Sequence, residues 1–163
     1  MYGESRLLSE WLQATYADRD WHIQFRVGND PAAAGFDMTD EGERRWARTL
    51  NRRVDALVEP PPNLVVIEAT MYRPTEKIGR LAEYMLLLPA TPDVAPWLSY
   101  PRDVVLLTGY DDPIARTLCQ QAGYRYVYYE PEWIEEWRAI YPQRRRRAPH
   151  SGLVDLLASD DGQ

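Results

Sequence analysis

Between residues 5 and 16 the apolar side chains Leu7, Leu8, Trp11 and Leu12 recur at three- and four-residue intervals, with Glu4 and Glu10 on the wetter side. That spacing lays one stripe along an α-helix. The period then drops to two. Trp21, Ile23, Phe25 and Val27 alternate with His22, Gln24 and Arg26, which predicts a half-buried strand over Trp21–Val27. Gly28-Asn29-Asp30-Pro31 breaks it, and residues 31–40 read as a loop. Glu41–Leu50 reads as a short helix capped by Thr39 or Asp40. Arg52–Val58 is a second strand, with Val54, Ala56 and Val58 on one face and Arg53, Asp55 and Leu57 on the other. Pro60-Pro61-Pro62 forces a stiff turn into a third strand over 64–71, whose start, Leu64-Val65-Val66-Ile67, is apolar on both faces as a central strand requires.

Pro74 and Thr75 open a helix to residue 88, with Ile78, Leu81, Ala82, Met85 and Leu88 as its buried stripe. A proline-rich connection covers 89–101. A fourth strand at 104–107, a helix capped by Asp111 or Asp112 and stopped by Gly123, a fifth strand at 124–129 and a last helix at 131–141 follow. The principal elements run αβββαβαβα. Three meandering strands followed by helical crossovers predict an α/β fold, a mixed five-stranded sheet flanked by helices.

The length of 163 residues suits one domain, placed at 1–141, with 142–163 as a tail. The net charge of −6 argues against a general nucleic-acid binder, though a local basic groove is compatible with it. Arg44, Arg45, Arg48, Arg52 and Arg53 are candidates to line such a groove, or else form a solvated face. Cys119 is the single cysteine, so neither an internal disulfide nor a cysteine-rich metal site is available. No apolar run approaches a bilayer span and no apolar signal region opens the chain, so the expected location is the cytoplasm, or a virion packaged from it. Phosphate-binding Gly-x-x-x-x-Gly-Lys, His-Glu-x-x-His and zinc-type cysteine pairs are missing from the sequence, and its histidines are His22 and His150 alone.

Asp55 and Glu68 remain as candidate chemistry. Glu68 ends an apolar run, where an ionised carboxylate is costly unless compensated. If their strands are neighbours the two acids meet, and converging carboxylates suit Mg²⁺, a hard cation that keeps room for water and phosphate. Asp55 has a plainer reading as a surface salt bridge with Arg53 or a neighbour, and Glu68 one as a buried acid neutralised by Arg26 or Arg80.

At these residues the chain resembles the PD-(D/E)XK superfamily. The resemblance runs from Arg53-Val54-Asp55 through Val66-Ile67-Glu68-Ala69-Thr70 to Gly79-Arg80-Leu81-Ala82-Glu83-Tyr84. It implies a restriction-endonuclease-like core with Asp55 and Glu68 as metal ligands. Glu10 stands where some members carry a further acid. Arg80 and Tyr84 resemble the Gln-x-x-x-Tyr of exonuclease-type members, with arginine replacing glutamine. The family's catalytic lysine falls two residues after the acid, and here that position is Thr70. Among the 19 Lys and Arg residues Lys77 is the sole lysine, so it alone can replace the missing one, from the following helix. Arg73 is a weaker substitute because arginine holds its proton.

Two functions follow. In the first, the fold has lost its chemistry and serves assembly. In its small size and over the stretch from Leu64 to Trp133 the chain resembles small nuclease-fold proteins of tailed phages, which implies a neck, head–tail adaptor or head-completion role, with portal or neck proteins and further copies of itself as partners and no cofactor. Arg144, Arg145, Arg146 and Arg147 repel one another unless acidic groups or phosphates meet them. Together with the apolar cluster Leu153, Val154, Leu156 and Leu157 they are expected to dock on another chain. In the second function, Asp55, Glu68 and a migrated Lys77 form an active Mg²⁺-dependent DNA nuclease.

Overall fold

The computed structural model describes residues 2–28, 37, 39–50 and 52–140, and the side chains of 3–28, 37, 39–45 and 52–140. The elements in chain order are α1 (Tyr2–Thr15), β1 (Trp21–Val27), α2 (Glu41–Leu50), β2 (Arg52–Val58), β3 (Leu64–Thr70), α3 (Pro74–Leu87), β4 (Arg102–Thr108), α4 (Pro113–Ala122), β5 (Arg125–Tyr128) and α5 (Ile134–Ile140). The proline-rich connection between α3 and β4 carries two 3-10 turns, Leu88–Ala90 and Pro92–Trp97. The chain divides into two compact units, Met1–Pro131 and Glu132–Gln163. Of the second, residues 132–140 are described; they hold α5, and Trp137 N donates to Trp133 O, just before the helix, at 3.1 Å. The tail residues Arg144 to Arg147, Leu153, Val154, Leu156 and Leu157 lie outside the described residues.

The first unit is an α/β fold built on one mixed five-stranded sheet in the order β1-β2-β3-β4-β5. β1, β2 and β3 form an antiparallel meander, and β3, β4 and β5 run parallel. Parallel neighbours cannot be joined by a hairpin, so α3 and α4 supply the crossovers. All seven residues of β3 are buried, because both faces of this central strand are covered. Leu64 and Val66 point to one face and join Leu57, Leu81, Tyr84, Leu88, Val104 and Leu106 in a single apolar core under α3 and α4. Val65, Ile67 and Ala69 alternate to the other face, where α1 packs on β3 with Leu7, Leu8, Trp11 and Leu12 buried.

The expected stripe of α3 is corrected at one position. Tyr84, not Ala82, enters the core with Leu81 and Leu88, and Ala82 is exposed. The helix ends follow side-chain chemistry. Asp112 Oδ1 accepts from Ile114 N and Ala115 N at the start of α4, and Gly123 closes it at φ 72, a conformation that glycine takes without strain. Asp40, of the two candidate caps, accepts from Glu43 N at 2.8 Å.

β3 and β4 finish side by side at Thr70 and Thr108, and the two ends are built alike. Thr70 Oγ1 accepts from Tyr72 N at 3.0 Å and donates to Tyr72 O. Thr108 Oγ1 accepts from Tyr110 N at 3.0 Å and donates to Tyr110 O at 2.8 Å. Each hydroxyl thereby closes a tight turn that delivers the chain into the next helix. Open α/β sheets place their ligand crevices at such carboxyl ends.

Candidate active site

β2 and β3 pair from Val58↔Val65 to Ala56↔Ile67. The next opposed residues are Asp55 and Glu68, and there a side chain takes over from the backbone ladder. Asp55 Oδ2 accepts from Ala69 N at 2.9 Å. Asp55 Oδ1 accepts from Gln24 Nε2 on β1 at 3.1 Å. The expected alternative of an Asp55–Arg53 salt bridge is not formed; both carboxylate oxygens are held by neutral amide donors.

Glu68 is fully buried, and three side chains of α3 converge on it. Lys77 Nζ lies 2.8 Å from Oε1, Arg80 Nη1 lies 3.4 Å from the same oxygen, and the Tyr84 hydroxyl donates to Oε2 at 2.8 Å. The Tyr84 hydroxyl also lies 2.9 Å from the Arg53 carbonyl oxygen, so the middle of α3 is tied to both β2 and β3. Positions 77, 80 and 84 share one helix face by their spacing of three and four. An unpaired carboxylate at this depth would cost several kcal/mol or neutralise itself; two cations and a hydroxyl remove that cost.

Lys77 is therefore not a solvated residue of an amphipathic helix. Its side chain is 20% exposed, with its amine on a wholly buried acid. Of the two arginines expected to neutralise Glu68, Arg80 is one of the two cations present, and Arg26 is not. Arg73 turns away to pair with Glu76 at 2.7 Å. Thr70 spends its hydroxyl on the strand-end turn, so its role here is structural. Glu10 pairs with Arg6 at 2.8 Å, whereas Glu4, earlier on α1, reaches the end of β3. Its Oε1 accepts from Met71 N at 3.2 Å and lies 3.3 Å from Thr70 Oγ1.

Burial, followed by the negative charge of Glu68, pushes the Asp55 carboxyl up from 3.8 to about 6. The Ala69 N–H, Lys77 and the Gln24 amide act the other way but do not cancel it. Burial and then the Glu68 charge also raise the Tyr84 hydroxyl well above the usual phenol range, so it stays protonated and remains a donor. Cys119 is buried, and burial raises its thiol to about 11, which leaves it an inert core residue.

Gln24 is a site residue that the alternating pattern of β1 conceals. It carries φ 52 in the middle of a strand. Ile23↔Ala56 and Phe25↔Val54 pair on either side of it without an inserted residue. A side chain larger than glycine's held in this left-handed region costs roughly 1–3 kcal/mol. The pleat is disturbed across the ladder as well. Val54 and Leu57 are three apart yet both enter the α3-side core, which a regular alternation forbids.

Among the described residues no group of three or more His, Cys, Asp or Glu side chains converges as a metal cage. The donor set is the two carboxylates. Burial first and the Glu68 charge second raise Asp55, and two carboxylates with water and phosphate completing the shell are a donor set of the kind Mg²⁺ takes. Among the described residues no helix is long and apolar enough to cross a membrane. No family model, no curated protein and no solved structure matches the chain.

Proposed function

We propose that this chain is a divalent-cation-dependent phosphodiester hydrolase acting on DNA, on a PD-(D/E)XK-like core. The observation that carries the reading is the Lys77 amine, 2.8 Å from Glu68. It supplies, from α3, the cation that the strand lacks at Thr70. Asp55 and Glu68 would hold Mg²⁺, which supplies a Lewis acid and a water of lowered pKa. Tyr84 fixes one oxygen of Glu68, and Ala69 N with Gln24 fixes Asp55, so both acids are pre-oriented. Lys77 then stands where it can orient an attacking water and offset charge developing on a phosphate. Arg80, 58% exposed, extends that positive charge toward solvent.

The test is cleavage of linear duplex and single-stranded DNA by the full chain with Mg²⁺ or Mn²⁺. Cleavage is expected, abolished by Glu68→Gln and lowered about 10²–10³-fold by Lys77→Met. An inactive wild-type protein, or cleavage indifferent to both substitutions, overturns the reading.

One observation favours the second reading, a non-catalytic assembly component such as a phage neck or adaptor protein. Every oxygen of Asp55 and Glu68 already has a protein donor, and the Glu68 cluster is charge-compensated without a metal. On that reading the cluster is structural. The protein then shows no metal-dependent cleavage, and deletion of residues 144–158 abolishes its association with portal or neck proteins or with copies of itself.

A further inference from the structure

Arg26 on β1 and Arg53 on β2 are directly opposed in the antiparallel ladder. Phe25 and Val54, the next opposed pair, pack into the core under α3. Val27 enters the same core, and Arg52, opposed to it, pairs with Glu83 of α3 at 3.0 Å. Side chains alternate along each strand, so Arg26 and Arg53 emerge together on the other face of the sheet. Glu68, with Lys77, Arg80 and Tyr84 around it, belongs to the α3 side. The sheet itself therefore separates the arginine pair from that cluster.

Both arginines are exposed, and neither guanidinium has an acidic partner among the described residues. The chain carries 25 acidic residues against 19 Lys and Arg, so an uncompensated cationic pair is not forced by composition. Asp55 stands two residues along β2 from Arg53, but its oxygens accept from Ala69 N and Gln24 Nε2 instead. Like charges opposed across a ladder are unfavourable in the free protein. Opposed Cα atoms lie about 4.5–5.5 Å apart, so two guanidinium forks side by side can grip one short run of anionic oxygens.

We propose that Arg26 and Arg53 form a metal-independent contact for the phosphate backbone of DNA, on the sheet face opposite the Glu68 cluster. The partner class rests on the proposed action on DNA; the site does not rest on cation binding by Asp55 and Glu68. A phosphodiester chain presents its charges in an unbroken row, so it relieves both guanidiniums whatever its sequence. Such a contact holds and orients the strand and reads no bases.

The experiment measures binding of a fluorescein-labelled DNA duplex to the full chain by anisotropy, in EDTA and across a salt series, with melting temperature recorded alongside. Arg26→Glu and Arg53→Glu each turn the like-charged pair into a cross-strand ion pair. Both are expected to melt no lower than wild type while the slope of log K against log salt falls by about 1 or more. Arg102, exposed at the start of β4 and also without an acidic partner among the described residues, controls for net charge. Arg102→Glu is expected to leave the slope unchanged, and polyglutamate at equal charge concentration is expected to leave the duplex bound. If wild type does not bind, or Arg102→Glu lowers the slope as much as the other two, the assigned site is overturned. If slope and melting temperature fall together, the arginines support the fold and the inference is overturned. Displacement by polyglutamate makes the face a dock for acidic protein and overturns the assignment to DNA. EDTA keeps this outcome apart from the hydrolase test. Binding without cleavage in Mg²⁺ overturns the proposed function and leaves the contact standing, whereas cleavage with unchanged slopes overturns the contact alone.

Discussion

The Lys77 ammonium nitrogen lies 2.8 Å from Glu68 Oε1, with 20% of the lysine side chain exposed and none of the glutamate. Removing the lysine leaves the buried acid with only the longer Arg80 contact and the Tyr84 hydroxyl, whereas removing the acid frees the lysine to turn toward water. Lys77→Met is therefore expected to destabilise the protein by about 2 kcal/mol and Glu68→Gln by less. The double variant should recover part of the Lys77→Met loss. Urea denaturation of the three variants gives the coupling directly, and additive losses would show that the pair does not interact.

Asp55 reverses the usual acid response. Its carboxyl is raised from 3.8 to about 6 in the folded protein, so between those values the folded state binds a proton that the unfolded state lacks. Its charged form is a burden above pH 6. Lowering the pH from 7 to 4 relieves that burden by up to about 3 kcal/mol, because one unit corresponds to about 1.4 kcal/mol. Asp55→Asn should be more stable than wild type at pH 7.5, with the difference shrinking toward zero near pH 4. Parallel stability profiles of the two proteins would refute the assignment.

Tyr84 joins Glu68 Oε2 and the Arg53 carbonyl through one hydroxyl. Tyr84→Phe keeps the ring in the core but leaves a buried carboxylate oxygen without its donor, at an expected cost of about 1–3 kcal/mol. Because Tyr84 also restrains Glu68, Mn²⁺ affinity should fall in the same variant. Calorimetry and denaturation of Tyr84→Phe check both effects.

Arg26 and Arg53 are directly opposed across β1 and β2, two residues along from Gln24 and Asp55 respectively. Both are exposed. Like charges facing each other across a ladder are unfavourable unless an anion joins them. Under the proposed function that anion is a DNA phosphate. Arg26→Ala and Arg53→Ala should each weaken DNA binding in metal-free buffer and lower the salt slope of log K by about 1. Unchanged slopes would remove this strand pair from the DNA path.

Much of the architecture was legible from periodicity. The two-residue alternation of β1, the doubly apolar run of β3 and the Pro74 and Gly123 punctuation marked elements to within a few residues, because each reflects local sterics or burial on one face. The clustering of Asp55 with Glu68 was also within reach, since successive strands joined by a short turn tend to pair.

Other features of the site were decided by contacts that no local pattern carries. Position 77 looks like an ordinary polar site on an amphipathic helix, and only the packing of α3 across β3 brings its amine to Glu68. Glu4 and Glu10 are equivalent on a helical wheel reading of wetness, but the docking angle of α1 delivers Glu4 to the end of β3. Gln24 fits the polar half of an alternating strand, and its φ of 52 is invisible in the residue itself. Sequence alone determined which segments form helices and strands and which carry ionisable groups, because propensity and amphipathic period act over a few residues. The tertiary structure alone decided which charge meets which. Ion pairing and backbone strain depend on approach distances between segments far apart in the chain, and those distances come from the packing of the whole sheet and its helices.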